Sequence, residues 1–280
     1  MLQYREAPKE HKLYHYDPSV VAAVVFALLF IISLLWHIFQ LIRHRAWFFI
    51  PFVIGVIFEA VGYAARGKSG QQAPNYKVTP YVIQSLLTLL GPSFFAASIY
   101  MILGRIIRLT DGERHSMIRS NWLTKIFVLG DVLSFFVQSG GGGMLAKAKD
   151  QDTVDLANKV VLAGLALQIL FFAFFVIVAT TFHMRINKAP TQKSTILSIQ
   201  WARYLWILYL ASALIVVRCL FRIAEYAGGQ DGVLLSTEIY LYIFDALLMF
   251  AVAFIFNLQH PSLVVNKQTA AHYRMEQLYK

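Results

Sequence analysis

The sequence predicts an all-α membrane protein: a seven-transmembrane-helix bundle with its N-terminus outside and its C-terminus cytosolic. Three observations carry this. Of 280 residues, 58% are hydrophobic and 14% charged, against about 45–50% and about 25% in soluble domains. The apolar residues come in long runs: residues 20–30 hold no polar side chain, and the run continues to Ile42 with only Ser33, His37 and Gln40 inside it. About 20 apolar residues at 1.5 Å rise cross a hydrocarbon core of roughly 30 Å. The runs do not alternate polar and apolar, as a transmembrane barrel would require. Each must therefore satisfy its own backbone as a helix.

Seven spans follow along the chain, at about 19–42, 46–65, 79–104, 123–146, 157–182, 203–224 and 236–258. Residues 1–18 form an extracellular N-terminal segment, 19–260 the seven-helix domain, and 261–280 a polar cytosolic tail too short to fold alone. The first span is too long for the apolar region of a cleavable signal peptide. The loop after it is little more than Arg43-His44-Arg45. Gly91-Pro92 is expected to break the third helix near its centre, freeing carbonyls that need a neighbour or water. The run Gly140-Gly141-Gly142-Gly143 is expected to end the fourth helix as a flexible cap. With the N-terminus outside, the cytosolic segments carry the larger share of lysine and arginine, and the last outer loop, 225–238, carries none; this is the basis of the orientation. The loops leave no room for a soluble catalytic domain, and seven spans show no convincing internal repeat.

The formal charge of +10 does not point to nucleic acid. The basic residues are spread over short loops, with no basic groove or aromatic-interleaved stripe, and they suit orientation and contact with anionic lipid. Cys219 is the sole cysteine, so neither an intramolecular disulfide nor a cysteine metal site is available. No Asn-x-Ser/Thr site is present.

Polar residues inside the spans are the informative ones, because a charge at a helix centre costs about 2.5–3.5 kcal/mol on insertion scales. Glu59, Tyr63 and Arg66 fall at i, i+4, i+7. Asp131 and Gln138 fall at i, i+7; Arg218, Arg222 and Glu225 at i, i+4, i+7; Glu238 and Asp245 at i, i+7. Each set shares one helix face and should point into the bundle. With Gln84, Gln168 and Tyr242 these residues form the candidate ligand site. Their mixed charge suggests an ion-pair network that either pins the helices together or lines a polar cavity for an amphipathic ligand's head. The histidines His37, His44, His115, His183 and His260 fall at or near the cytosolic ends and read as interfacial anchors, with haem ligation by one or two of them left open. No metal-binding HExxH motif, no lysine in the seventh span for a Schiff base and no nucleophile elbow appears, so no catalytic residues and no metal ligands are expected, and an enzyme is not.

Several ordered stretches resemble one family. They are Glu59-x2-Gly62-Tyr63-x2-Arg66, GPSFFAASIYMILGRIIR from Gly91 to Arg108, FVLGDVLSFFVQSGGGG from Phe127 to Gly143, Gly164-Leu165-x2-Gln168, Arg218-x3-Arg222-x2-Glu225-Tyr226, and Glu238-x3-Tyr242-x2-Asp245. This pattern is similar to the fungal lipid-translocating exporter family, seven-helix proteins named for resistance to aminocholesterol, and covers nearly the whole chain. The resemblance implies a protein of a fungal membrane, the plasma membrane being expected. It would move amphipathic lipids such as sphingoid bases, or related toxicants, and in some members porphyrins. A haem- or porphyrin-binding protein and a receptor-like lipid sensor are the alternatives. The implied partner is a membrane lipid or amphipathic small molecule.

Overall fold

Helix boundaries in this chain fall where the backbone finds a cap. The computed structural model describes residues 16–145, 148, 150–196, 201–228, 234 and 237–262. Helix α1 (Val20–His44) starts at Ser19, whose hydroxyl accepts from the Ala22 N–H at 3.3 Å, as N-cap serines do. It ends where Arg45 turns to φ 51°, and the Arg45 and Ala46 N–H groups return to the Ile42 and Leu41 carbonyls, a left-handed cap. A 3-10 turn (Trp47–Phe49) leads into α2 (Ile50–Gly70), with Pro51 in its first turn, where a missing N–H leaves no bond unmade. Then come α3 (Val78–Leu109) and α4 (Ser120–Leu145). Helix α5 (Gln151–Lys188) is capped by Asp150, which accepts from the Thr153 N–H at 2.9 Å, and stops just before Pro190. After a five-residue helical turn (Gln192–Ile196) come α6 (Trp201–Ala227) and α7 (Glu238–Leu258). The stretch Tyr242–Leu247 inside α7 is wound as π-helix.

Among the described residues seven helices are long and apolar enough to cross a membrane, and there is no strand. All seven predicted spans are present, with different ends. The largest extension is in α5, which covers 151–188 where 157–182 was expected. Charged residues at a membrane edge do not stop a helix, and nothing in this stretch breaks one before Pro190. At 1.5 Å per residue α5 is about 57 Å long, so its ends stand clear of the hydrocarbon. Of the tail expected at 261–280, only Pro261 and Ser262 lie within the described residues, as do only residues 16–18 of the N-terminal segment.

Two expectations are corrected. Gly91-Pro92 does not break α3, which is helical throughout. Proline at 92 removes the N–H that the Thr88 carbonyl would accept from, and Nη2 of Arg218 on α6 donates to that carbonyl instead, at 2.5 Å. The tetraglycine does not end α4, which runs through it to Leu145. Gly141 is a packing residue: a Cβ there would lie 2.7 Å from Val161 Cγ2 and 2.9 Å from the Ala157 carbonyl oxygen, whereas Cβ atoms at Gly140, Gly142 and Gly143 would meet nothing within 4 Å. Gly164 on α5 answers from the other side, against Gln138 and the Ser134 carbonyl. The absence of side chains lets the two backbones approach.

The helices form a closed ring in chain order, with α1 against α7, and α3 also packs on α6 through the middle. Helix α3 is the most buried of the seven. The surface is the inverse of a soluble protein's: Ile32 is 65% and Leu170 67% exposed, while Glu59, Arg66 and Arg218 are at most 1% exposed. Apolar outside and charged inside is the pattern for a chain whose solvent is lipid. Exposed Trp47, Trp122 and Trp206 lie near the starts of α2, α4 and α6, at the bundle end where α7 finishes, as interfacial tryptophans do. That end is called the C end below, and the end where α1 begins the N end.

The glycine geometry gives a paired test. Gly141→Ala should destabilise the protein by about 1–3 kcal/mol through overpacking. Gly140→Ala should be neutral or stabilise by up to about 1 kcal/mol, because it adds helix propensity in open space. Thermal unfolding in detergent separates the two; equal melting temperatures would mean that the α4–α5 contact is looser than described.

Candidate functional site

The buried polar residues form tiers. At the N end, Arg66 of α2 bonds Glu238 at the start of α7 at 2.8 Å. The same guanidinium donates to the Tyr16 hydroxyl at 2.8 Å and the Tyr242 hydroxyl at 3.2 Å, with both rings about it at 5.6 and 5.5 Å. Glu238 also accepts the Ser19 N–H on both carboxylate oxygens, each at 2.9 Å. The residue that caps α1 is thus held by the first residue of α7, and α1, α2 and α7 are tied at one point. An acidic residue there also suits the positive end of the α7 dipole.

Two turns deeper is the central tier. Asp245 lies in the π-helical stretch of α7, and its two oxygens take Arg218 Nε at 2.5 Å and Arg222 Nη2 at 2.7 Å. Arg222 pairs in addition with Glu225 at 2.9 Å. A π-turn inserts one residue into the helix and re-aims the side chains around it; here it lets Asp245 serve two guanidiniums from α6. Glu59 of α2 packs against Gly91, where a Cβ would lie 2.5 Å from its Oε1. It feels Asp245, Arg218 and Arg222 electrostatically, yet Oε1 has no hydrogen-bond partner. Tyr63, one turn away, stacks on Phe30 with ring centroids 5.7 Å apart.

Two further groups lie across α3. Gln138 of α4 donates to Gln168 of α5 at 3.0 Å, and Gln168 reaches Ser93 of α3 at 3.4 Å. Asp131 of α4 is 3% exposed and is faced by Tyr100 of α3. Neither Asp131 oxygen has a hydrogen bond of good geometry, and among the described residues no cation pairs with it.

The expected single network therefore resolves into parts. Arg66, Glu238 and Tyr242 come together; Glu59, Arg218, Arg222, Glu225 and Asp245 come together, with Tyr63 beside them; Gln138 pairs with Gln168. Asp131 stands with Tyr100, apart from the arginines. Gln84 is buried on α3 a turn before Thr88. Sequence reasoning missed Tyr16, Ser19, Thr88, Ser93 and Tyr100. Thr88 was readable, four residues before Pro92. Tyr100 was not, because a tyrosine in an apolar helix looks like core.

The histidines are corrected as well. His37, His115 and His260 are buried and are not interfacial anchors. His37 Nε2 meets the Ala253 carbonyl at 3.1 Å, and its ring packs edge-on to Phe52. Burial holds His260, past the end of α7, down at about 4, with the nearby charge of His44 adding to the effect. Arg66, Arg218 and Arg222 are all engaged by carboxylates, so a ligand's carboxylates would have to displace these partners, and His260 lies past the C end of α7, away from the arginines.

Comparison with known proteins gives an independent line. A family model described as RTA1 like protein matches residues 52–268. The chain is 34% identical over 280 residues to Protoporphyrin uptake protein 1 of Saccharomyces cerevisiae, covering 88% of this chain and 90% of that one. It is 35% identical over 276 residues to Protein RTA1 of the same yeast, covering 89% and 85%. It is 28% identical over 258 residues to the Sphingoid long-chain base transporter RSB1, also from that yeast, covering 80% and 67%. No solved structure matches.

The tiers differ in what they hold up. Asp245→Ala strands the buried Arg218 guanidinium and leaves Arg222 with Glu225 alone, and should cost about 3–5 kcal/mol. Glu238→Gln should cost less, since that carboxylate is 17% exposed and water replaces part of what is lost. The difference reads out in yield of folded protein and in melting temperature; a larger effect at Glu238 would contradict the ranking.

Proposed function

The chain belongs to the RTA1-like family, and from that premise we propose that it is a multi-pass membrane transporter for amphipathic, lipid-like compounds bearing a cationic head. The observation that carries this is Glu59. In the central tier Arg218 and Arg222 are matched by Asp245 and Glu225. Glu59 is one carboxylate more, fully buried, with Oε1 unsatisfied. A buried carboxylate without its own cation is expensive, and an ammonium head placed between Glu59 and Asp245 completes it. Phe26 and Phe30, with Tyr63, form an aromatic wall beside the site that suits a long alkyl tail. The sphingoid-base transporter among the relatives fits this charge. Transport, not catalysis, is the reading, and a fungal plasma membrane is the proposed location.

A second reading takes a tetrapyrrole as cargo, favoured by the relative named for protoporphyrin uptake, which aligns over 90% of its length. There the arginines would exchange their carboxylates for the ligand's. The two readings part at Glu59, which attracts a cation and repels an anion.

The test uses full-length protein in liposomes and a fluorescent sphingoid base. Glu59→Gln should slow its movement by about tenfold or more, the scale of a lost charge-assisted hydrogen bond, with an unchanged melting temperature. Undiminished flux in Glu59→Gln overturns the cationic reading, and faster protoporphyrin movement in the same variant would favour the second. Binding without movement in the wild type would make the protein a sensor and refute transport.

A further inference from the structure

We propose that Asp131 is a proton-binding site inside the bundle and that the proton it takes up drives the transport. The inference rests on the transporter reading for its second half only.

A carboxylate in the membrane is stable when a cation or hydrogen-bond donors hold it. Most acidic residues of the bundle core have such company: Glu238 has Arg66 and the Ser19 N–H, Asp245 has two arginines, and Glu225 has Arg222; Glu59 has no bonded cation but stands beside the charges of Arg218 and Arg222. Asp131 has none. It is 3% exposed and both oxygens are unsatisfied. The titratable groups facing it are Tyr100 from α3 and Cys219 from α6. From α5 the neighbouring contact is Phe171, pressed against Gly130, and no titratable side chain among the described residues. Its near surroundings thus hold no fixed charge to compensate an ionised carboxylate, so ionisation at this site has to be paired with the arrival of something else. The smallest candidate is the proton, which leaves water on one side, forms the O–H bond of the carboxylic acid, and returns to water on the other; no other bond changes.

The position also suits coupling. Cys219 is within electrostatic reach of both Asp131 and Asp245, and its neighbour Arg218 is the direct partner of Asp245. A change of charge at Asp131 is felt on the same turn of α6 that holds the central tier. Helix α3 links the two as well, carrying Tyr100 toward Asp131 and the Thr88 carbonyl toward Arg218.

Infrared titration of the full-length protein in liposomes reads the first half without any substrate. The wild type should show a protonated-carboxyl band that appears and disappears with pH, and Asp131→Asn should lack it. Tyr100→Phe keeps the carboxyl and should move the midpoint, which serves if the asparagine variant fails to fold. A band unaffected by both substitutions, or one that ignores pH, overturns the proposal. For the second half, movement of the fluorescent sphingoid base should respond several-fold to an imposed pH gradient in the wild type and not in Asp131→Asn. Wild-type movement indifferent to the gradient refutes the coupling while leaving transport intact. No movement at all refutes the transporter reading instead, and the infrared result then decides whether Asp131 binds a proton.

Discussion

The bundle is organised around one carbonyl. Pro92 leaves the Thr88 carbonyl without its helical donor in the most buried helix. An unsatisfied backbone group in hydrocarbon costs several kcal/mol. The donor comes from Arg218, and that solution creates a harder problem, a guanidinium with no exposed surface. Asp245 neutralises it, and its second oxygen draws in Arg222, which in turn holds Glu225. Each group is required by the one before it. A proline on α3 thereby fixes the facing surfaces of α6 and α7, and the π-helical stretch of α7 is the local distortion that brings Asp245 into range.

This chain of requirements explains why polar residues accumulate on α2, α3, α6 and α7 while the α4–α5 pair is joined differently. That pair closes on glycine, Gly141 and Gly164, and on a neutral amide contact, Gln138 with Gln168. Van der Waals packing and uncharged hydrogen bonds suffice where no backbone group has been orphaned. The N-end tier has a third character. Arg66 and Glu238 gather a cap, two tyrosines and three helices, and Glu238 keeps some contact with solvent. It resembles a clasp across the mouth of the bundle more than a core element.

Much of this was legible beforehand. The seven spans follow from run length alone, because lipid imposes a length that no soluble core does. The stripes at i, i+4, i+7 identified the inward faces of α2 and α6, since a charge has nowhere else to point. What the sequence could not supply was pairing. Glu59 and Asp245 look alike as single acidic residues in apolar helices, yet one holds two arginines and the other lacks a dedicated partner; that depends on a π-turn and on glycine at 91, and periodicity encodes neither. Helix breakers misled for a related reason. Pro92 and the tetraglycine disrupt isolated helices, but a neighbour that donates a hydrogen bond, or one that needs a close approach, turns the same residues into contacts.

Buried ion pairs are poor evidence of stability, because desolvation cancels most of the attraction. Their use lies in having alternatives. Asp245 shared between two guanidiniums can pass one of them to another acceptor without either charge entering lipid alone, provided a second carboxylate stands nearby. Glu59 is that second carboxylate. A ligand ammonium entering between them adds a third cation to a site with two cations and three anions and closes its balance to zero; with every charge matched, the arginines can then rearrange at constant net charge. Rearrangement at constant charge is what a membrane interior allows at low cost, and a site with only matched pairs would lack it. On this argument the surplus carboxylate, more than the number of ion pairs, separates a site built to change partners from one built only to hold helices together.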